Sequence, residues 1–278
     1  MSWLEACVMA ILQGATELFP ISSLGHAVIL PKLLHWHINE NSDSFLPFLV
    51  VLHLGTALAL LLYFWRDWVN LLGSVVGRGE VEQREPNRKL LALVVVATIP
   101  AGLIGLLLEK PLRSLFGAPL VAAVFLVVNG VVLLFGERKR RKAGFRAAAD
   151  LTWAEAFIVG VCQSFALIPG MSRSGTTMVA GLSVGLRHDE AARFSFLMAT
   201  PVIGAAGLLE VPKLIKNGSQ SDLTMIIVAG LLAGLAAFLS VTFLMRYFKR
   251  SDVESLNPFG YYCIVAGIAA FVLIAAGI

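Results

Sequence analysis

The chain has 278 residues, 58% of them hydrophobic and only 14% charged, with a formal net charge of +4 and a mean hydropathy of +0.81. Soluble domains carry about 25% charged residues, so this sequence cannot cover itself with a water-exposed surface of ordinary polarity. Its positive charges fall in loops between apolar runs, where they report membrane orientation rather than a nucleic-acid partner.

A single integral membrane domain surrounded by lipid is the expected class, all-α because lipid leaves no other partner for the backbone of such runs. The first run, 3–19, has no basic region before it and no A-x-A site after it, so no cleaved signal is expected. It is short, stops at Pro20 before Ser22 and Ser23, and resumes as a second short run, 24–34. A short helix, a polar break and another short helix read as a re-entrant hairpin, tolerated at membrane depth only where protein or a wet cavity surrounds it. Runs 45–65, 90–108 and 119–136 follow, each near the roughly 17–25 residues that cross a bilayer. The pattern then repeats, with a broken pair at 153–168 and 175–186 followed by runs 194–211, 223–245 and 258–277. The predicted fold is therefore six transmembrane helices plus two re-entrant helical hairpins. Cys7, Cys162 and Cys263 lie in apolar runs and read as small buried side chains rather than disulfides or metal ligands.

Sliding the sequence by 150 residues matches Trp3, Glu5, Ala6, Gln13, Ser22 and Gly25 to Trp153, Glu155, Ala156, Gln163, Ser172 and Gly175. Chance would give about one or two such identities, so a duplication is expected, with repeat one at 1–150 and repeat two at 151–278. Each unit holds one hairpin and an odd number of spans, so the second copy is inverted, and inverted repeats bring their broken helices together near the midplane. Basic residues at Arg66, Arg78, Arg84, Arg88 and Lys89, at 138–142 and at Arg246, Lys249 and Arg250 are self-consistently cytoplasmic. The first hairpin and both termini then face outward.

Chemistry concentrates at the breaks. Gln13 and Glu17 share a helix face, Pro20 ends that helix, Ser22 or Ser23 can cap the next, and His26 lies one turn further on. The second break offers Ser172, Arg173, Ser174, Gly175, Thr176 and Thr177 at another helix start, where free amides, dipole and a guanidinium fork suit an anion. Hydroxyls and glycines also pack transmembrane helices, and Gln13 and Gln163 can serve hairpin backbone. Glu17, His26 and Arg173 are harder to explain that way, because an intramembrane charge costs roughly 2.5 kcal/mol or more. His53 reads equally as a helix–helix hydrogen bond or a site group, while His35, His37 and His188 read as solvated.

On Gln13 and Glu17, the Ser22–His26 stretch, Leu52-His53-Leu54-Gly55-Thr56, 97–102 and the stretch 169–175, the sequence resembles the undecaprenyl-diphosphate phosphatase family of integral membrane enzymes associated with bacitracin resistance. The resemblance covers nearly the whole chain. Position 13 holds Gln where many relatives have Glu, and position 24 holds Leu where Ser or Thr is common. The resemblance implies hydrolysis of the polyprenyl diphosphate carrier to its monophosphate at an outward-facing site in the bacterial plasma membrane.

The expected roles are Ser23 as nucleophile with His26 or Glu17 taking its proton, or His26 as the nucleophile itself. Arg173 would neutralise the transferring phosphoryl group, and Gln13, Ser22, Ser172, Ser174, Gly175 and Thr177 would hold the diphosphate. A divalent cation, Mg2+ or Ca2+, bridging Glu17 and the substrate is the expected cofactor, and a homo-oligomer is compatible with the sequence. The rival from another class is a lipid-phosphate transporter, which needs Arg173 and the helix ends but no Ser–His–Glu set.

Overall fold

Long apolar runs satisfy their backbone in lipid only by becoming helices, and this chain is helical throughout the part described. The computed structural model describes residues 1–36, 45–139, 146–217, 220–250 and 255–277. Its helices are α1 (Trp3–Thr16), α2 (Ser23–Leu33), α3 (Phe45–Tyr63), α4 (Trp65–Val75), α5 (Val81–Leu107) and α6 (Glu109–Ser114). They continue with α7 (Pro119–Lys139), α8 (Trp153–Ser164), α9 (Arg173–Ser183), α10 (His188–Asn217), α11 (Gln220–Arg250) and α12 (Asn257–Ala275). Five of the described helices are long and apolar enough to cross a bilayer, or six if the bent pair α3–α4 counts as one.

The run expected at 45–65 does not continue straight. It stops at Tyr63 and turns by 76° into α4, where Asp67 is held by the Arg193 guanidinium at 2.8 Å. Helix α5 starts at Val81 rather than Leu90, adding a charged lead whose Arg88 reaches the Ser74 carbonyl at 2.7 Å.

The short helices start alike. Ser2 and Glu5 form a capping box on α1, and Thr152 and Glu155 form one on α8, each satisfying amides that a helix start leaves open. Helix α1 packs on α11 and α8 on α5, α3 lies against both α10 and α11, and α7 runs along α12. Gly14 makes the α1–α11 contact tight, since a Cβ there would stand 2.2 Å from the Ala233 carbonyl oxygen.

His188, expected to be solvated, is 5% exposed and meets both oxygens of the buried Glu137 carboxylate at 3.0 Å. The same carboxylate accepts the Leu256 amide, so it joins the ends of α7, α10 and α12. His37 lies outside the described residues.

Candidate active site

Helix α1 ends with Glu17 as its C-cap residue, the amide bonded to the Gln13 carbonyl at 2.9 Å. The chain then turns through Pro20, and Ser22 caps α2 by accepting the Gly25 amide at 3.1 Å. Ser172 caps α9 in the same way, accepting the Gly175 amide at 3.1 Å. The two breaks touch, because a Cβ on Gly25 would stand 2.8 Å from the Cα of Gly170, which itself has φ +99°. Glycine is needed at both positions, for the close approach at one and the backbone angle at the other.

Glu17 organises the polar centre. Its Oε1 accepts from Arg173 Nε at 3.3 Å and from Nη2 at 3.2 Å. Its Oε2 accepts from Gln13 Nε2 at 3.1 Å and from the Ser23 hydroxyl, and His53 Nε2 lies 3.3 Å from the same oxygen. His53 Nδ1 faces the Leu49 carbonyl at 2.7 Å. A carbonyl only accepts, so Nδ1 carries a proton and the ring presents Nε2 to the carboxylate. Arg173 Nη1 donates to the Ser195 carbonyl at 3.0 Å, which fixes the fork from its other side.

These groups open on a cavity of about 350 Å³. Glu17, Ser22, Ser23, His53, Ser172 and Arg173 are among its polar lining, with Gln163 and Glu210, and Leu106, Leu167, Ala206 and Leu209 are among its apolar lining. Two helix N-termini, those of α2 and α9, meet at the polar wall, and first-turn amides there suit the oxygens of a phosphate.

The family model described as bacitracin resistance protein BacA matches residues 6–269. The chain belongs to the BacA family. It is 50% identical over 269 residues to "Undecaprenyl-diphosphatase 2" of Chromobacterium violaceum, covering 96% of this chain and 97% of that protein. It is also 50% identical over 282 residues to "Undecaprenyl-diphosphatase" of Acidiphilium cryptum, covering 100% of each. A more distant relative, "Undecaprenyl-diphosphatase 2" of Oenococcus oeni, is 42% identical over 270 residues and covers 96% and 97%.

Within this BacA-family site, the expected residues divide between the wall and its support. Glu17, Ser22, Ser23, Ser172 and Arg173 reach the cavity. Gln13 supports Glu17 from behind. Ser174 is fully buried and donates to the Phe19 carbonyl at 3.1 Å. Thr177 donates to the Arg173 carbonyl at 2.7 Å, and its hydroxyl lies 2.7 Å from that of Ser195. Gly175 gives its amide to the Ser172 cap.

His26 points elsewhere. Its Nδ1 meets the Ser22 carbonyl at 2.6 Å and its Nε2 meets the Tyr262 hydroxyl at 2.8 Å, with the two rings stacked. His53 takes the place beside Glu17 instead. An ionisable group inside an apolar run was its signal in the sequence, but its partner lies on another helix. Asn129, fully buried on α7, contacts both breaks and carried a similar signal as a lone amide among apolar neighbours.

A divalent cation bound to Glu17 does not fit this arrangement, because both carboxylate oxygens already face an arginine, an amide, a hydroxyl and an imidazole. Among the described residues no cluster of three His, Cys, Asp or Glu could hold a metal ion.

Proposed function

We propose that this chain hydrolyses undecaprenyl diphosphate to undecaprenyl phosphate and inorganic phosphate, recycling the lipid carrier for cell-wall synthesis, with Ser23 as nucleophile. The observation that carries this reading is one carboxylate with two partners. Glu17 accepts the Ser23 hydroxyl on one oxygen and the Arg173 fork on the other, at the wall of an apolar cavity. The names of the relatives, matched over nearly their full length, support the same substrate.

Serine is a weak nucleophile without a base, and Glu17 is the base in contact with it. Ser23 Oγ bonds to the terminal phosphorus as the bond from that phosphorus to the bridging oxygen breaks. Glu17 takes the serine proton and passes it to the departing undecaprenyl phosphate. In the second half, Glu17 accepts a proton from the attacking water and returns one to Ser23 Oγ as the serine–phosphorus bond breaks.

Arg173 offsets the charge on the transferring group, where positioning and electrostatics supply most of the catalysis. Ser22, Ser172 and the first-turn amides of α2 and α9 take the remaining oxygens. Gln13, Ser174, Gly175 and Thr177 hold these groups in place, and the isoprenoid lies along the apolar wall. His53 orients Glu17. His26 steadies the Ser22 carbonyl and so the start of α2, and with both ring nitrogens engaged it is a poorer nucleophile than Ser23. Mg2+ or Ca2+ would enter as the counter-ion of the diphosphate.

The proposed architecture is one membrane domain of six spans and two re-entrant hairpins, α1–α2 and α8–α9, in an inverted repeat of 1–150 and 151–278. The exchanged packing supports it: α1 of the first unit lies on α11 of the second, and α8 of the second on α5 of the first. The basic loops favour a multi-pass protein of the bacterial plasma membrane with its site facing outward.

The test is phosphate release from undecaprenyl diphosphate by the purified protein in detergent, with and without Mg2+. Ser23→Ala should lose about a thousandfold or more, and acid quenching of the parent should trap phosphate on Ser23. Release that survives Ser23→Ala but is lost in His26→Ala would move the nucleophile to histidine. A folded, lipid-binding parent that releases nothing would end the enzyme reading and favour lipid-phosphate transport.

A further inference from the structure

Asn129 is bonded to both breaks from an element that belongs to neither hairpin. It projects from the middle of α7 and is fully buried. Its Nδ2 donates to the Pro20 carbonyl at 2.9 Å, in the turn between Glu17 and Ser23. Its Oδ1 accepts the amide of Ser172, the residue before Arg173, at 3.0 Å. A weaker contact runs from Nδ2 to Cys263 Sγ at 3.4 Å. An amide has separate donor and acceptor ends, and here each end serves a different half of the molecule. These are backbone groups that neither helix can satisfy, since Pro20 lies in the turn and Ser172 is an N-cap. An apolar residue at 129 would orphan the Ser172 amide and leave the Pro20 carbonyl only a long contact to Cys263 Sγ at 3.9 Å, in a buried place where each unmade bond is costly.

We propose that Asn129 is a positioning residue for the phosphatase reaction, setting the distance between the half-site that carries Ser23 and Glu17 and the half-site that carries Arg173. Phosphoryl transfer depends on an in-line fit between nucleophile and charge clamp, and a displacement of about 1 Å can cost about a hundredfold. Arg173 meets Glu17 at 3.2–3.3 Å, so a small slip between the breaks opens that contact first. Ser174, bonded to the Phe19 carbonyl, is a second stitch across the same seam. Asn129 differs in being anchored on a third element, α7, that belongs to neither hairpin.

This inference rests on the phosphatase reading, and its test separates the two. Asn129→Asp keeps the acceptor for Ser172 but loses the donor to Pro20 while ionised. As the pH falls the introduced acid gains an O–H that can donate again. The titratable groups on the helices around it are Tyr261, Tyr262 and Cys263 from α12, His26 and Lys32 from α2, and Arg173 from α9 with Glu17 beyond it. Each is also present in the parent, so the variant-to-parent ratio isolates position 129.

Asn129→Asp should release phosphate at least about tenfold more slowly than the parent at pH 8, with the ratio recovering severalfold by pH 5.5. Asn129→Ala should lose kcat at every pH with little change in KM, and Cys263→Ala should stay within about twofold of the parent. Hydrogen exchange provides a readout that needs no activity: Asn129→Ala should speed exchange of amides at 17–25 and at 170–176 together. Equal exchange at both breaks would overturn the proposal even if the parent proved inactive. So would an Asn129→Asp profile parallel to the parent's, or an unchanged kcat in Asn129→Ala. If Asn129→Asp does not fold, the kcat of Asn129→Ala and the exchange at the two breaks decide.

Discussion

At the first residue of α2 stands Ser23, and at the first residue of α9, 150 positions later, stands Arg173. The caps just before them are both serines, and each takes a glycine amide at 3.1 Å. Yet Ser22 has φ 66° and ψ 92°, whereas Ser172 has φ −93° and ψ 125° in ordinary extended backbone. Holding a serine at positive φ costs about 1–3 kcal/mol and persists only where surrounding structure enforces it. The break under strain delivers a short hydroxyl to a fixed carboxylate. The relaxed break delivers a long arginine, which reaches its partners without bending the backbone.

The same contrast holds four residues after the paired glutamines, where Glu17 in one hairpin corresponds to Leu167 in the other. The proposed duplication would account for the two serine-capped helix starts, and the proposed chemistry rests on positions where the two hairpins differ.

The largest effect that would break this division is at Arg173. Arg173→Lys keeps the charge but cannot make the fork that joins Glu17 to the Ser195 carbonyl. Phosphate release should fall by about 10²–10³-fold, mostly in kcat. A lysine variant retaining a tenth of parental activity would mean that the second hairpin contributes charge alone.

The two histidines sharpen the first half of the comparison. His53→Ala removes the ring that orients Glu17 and should cost about a hundredfold, the scale of a misplaced catalytic group. His26→Ala removes a tether on the Ser22 carbonyl and should cost about tenfold. Steady-state release measured side by side settles the order, and a reversal would mean that the proposed site depends on His26 more than on His53.

How much of this was legible in the sequence depended on whether a partner was local. Gln13, Glu17, Ser22 and Ser23 sit within a few turns of one another, so helix periodicity and the Pro20 break were enough to group them. The cap serines, Ser22 and Ser172, were likewise local and visible as a matched pair. His53 and Asn129 were visible only as polar groups in apolar runs, since their partners arrive from other helices. His26 follows Ser22 and Ser23 at helical spacing, but its ring meets Tyr262, 236 positions away, a partner that spacing does not show. The bend after Tyr63 also escaped notice, because an apolar run records where lipid is acceptable and says nothing of the Arg193 that waits for Asp67.

A smaller effect is expected at Gln13, where the two hairpins still agree. Gln13→Glu exchanges a donor to Glu17 Oε2 for a second carboxylate beside it, and like charges that close resist joint ionisation. Release should drop by about three- to tenfold in chelator and recover with Mg2+, because paired carboxylates give a hard cation the oxygen ligands that Glu17 alone does not offer. Equal rates with and without cation would show that position 13 acts only through the hydrogen bond.

The smallest effect lies at the bases of the hairpins, outside the spans. The α8 box is reinforced: Arg146 donates to both oxygens of Glu155 at 2.8 Å and also to the Val184 and Asp150 carbonyls. The α1 box pairs Ser2 with Glu5 and has no such ion pair among the described residues. The hydrogen bonds from Arg146 pull the Glu155 carboxyl down to about 2, against about 4.3 for an unfolded glutamate. Its folded value is the lower one, so the stabilisation is whole above about pH 4.3 and disappears as the pH falls toward 2. Arg146→Ala should therefore lower the thermal midpoint by a few degrees, about what 1 kcal/mol gives at this chain length. The loss should be equal at pH 7 and pH 5.5 and should narrow below pH 4. Glu5→Gln at the other base should move the midpoint by less at every pH. If the two bases respond alike, the reinforcement of the second hairpin contributes nothing beyond its cap.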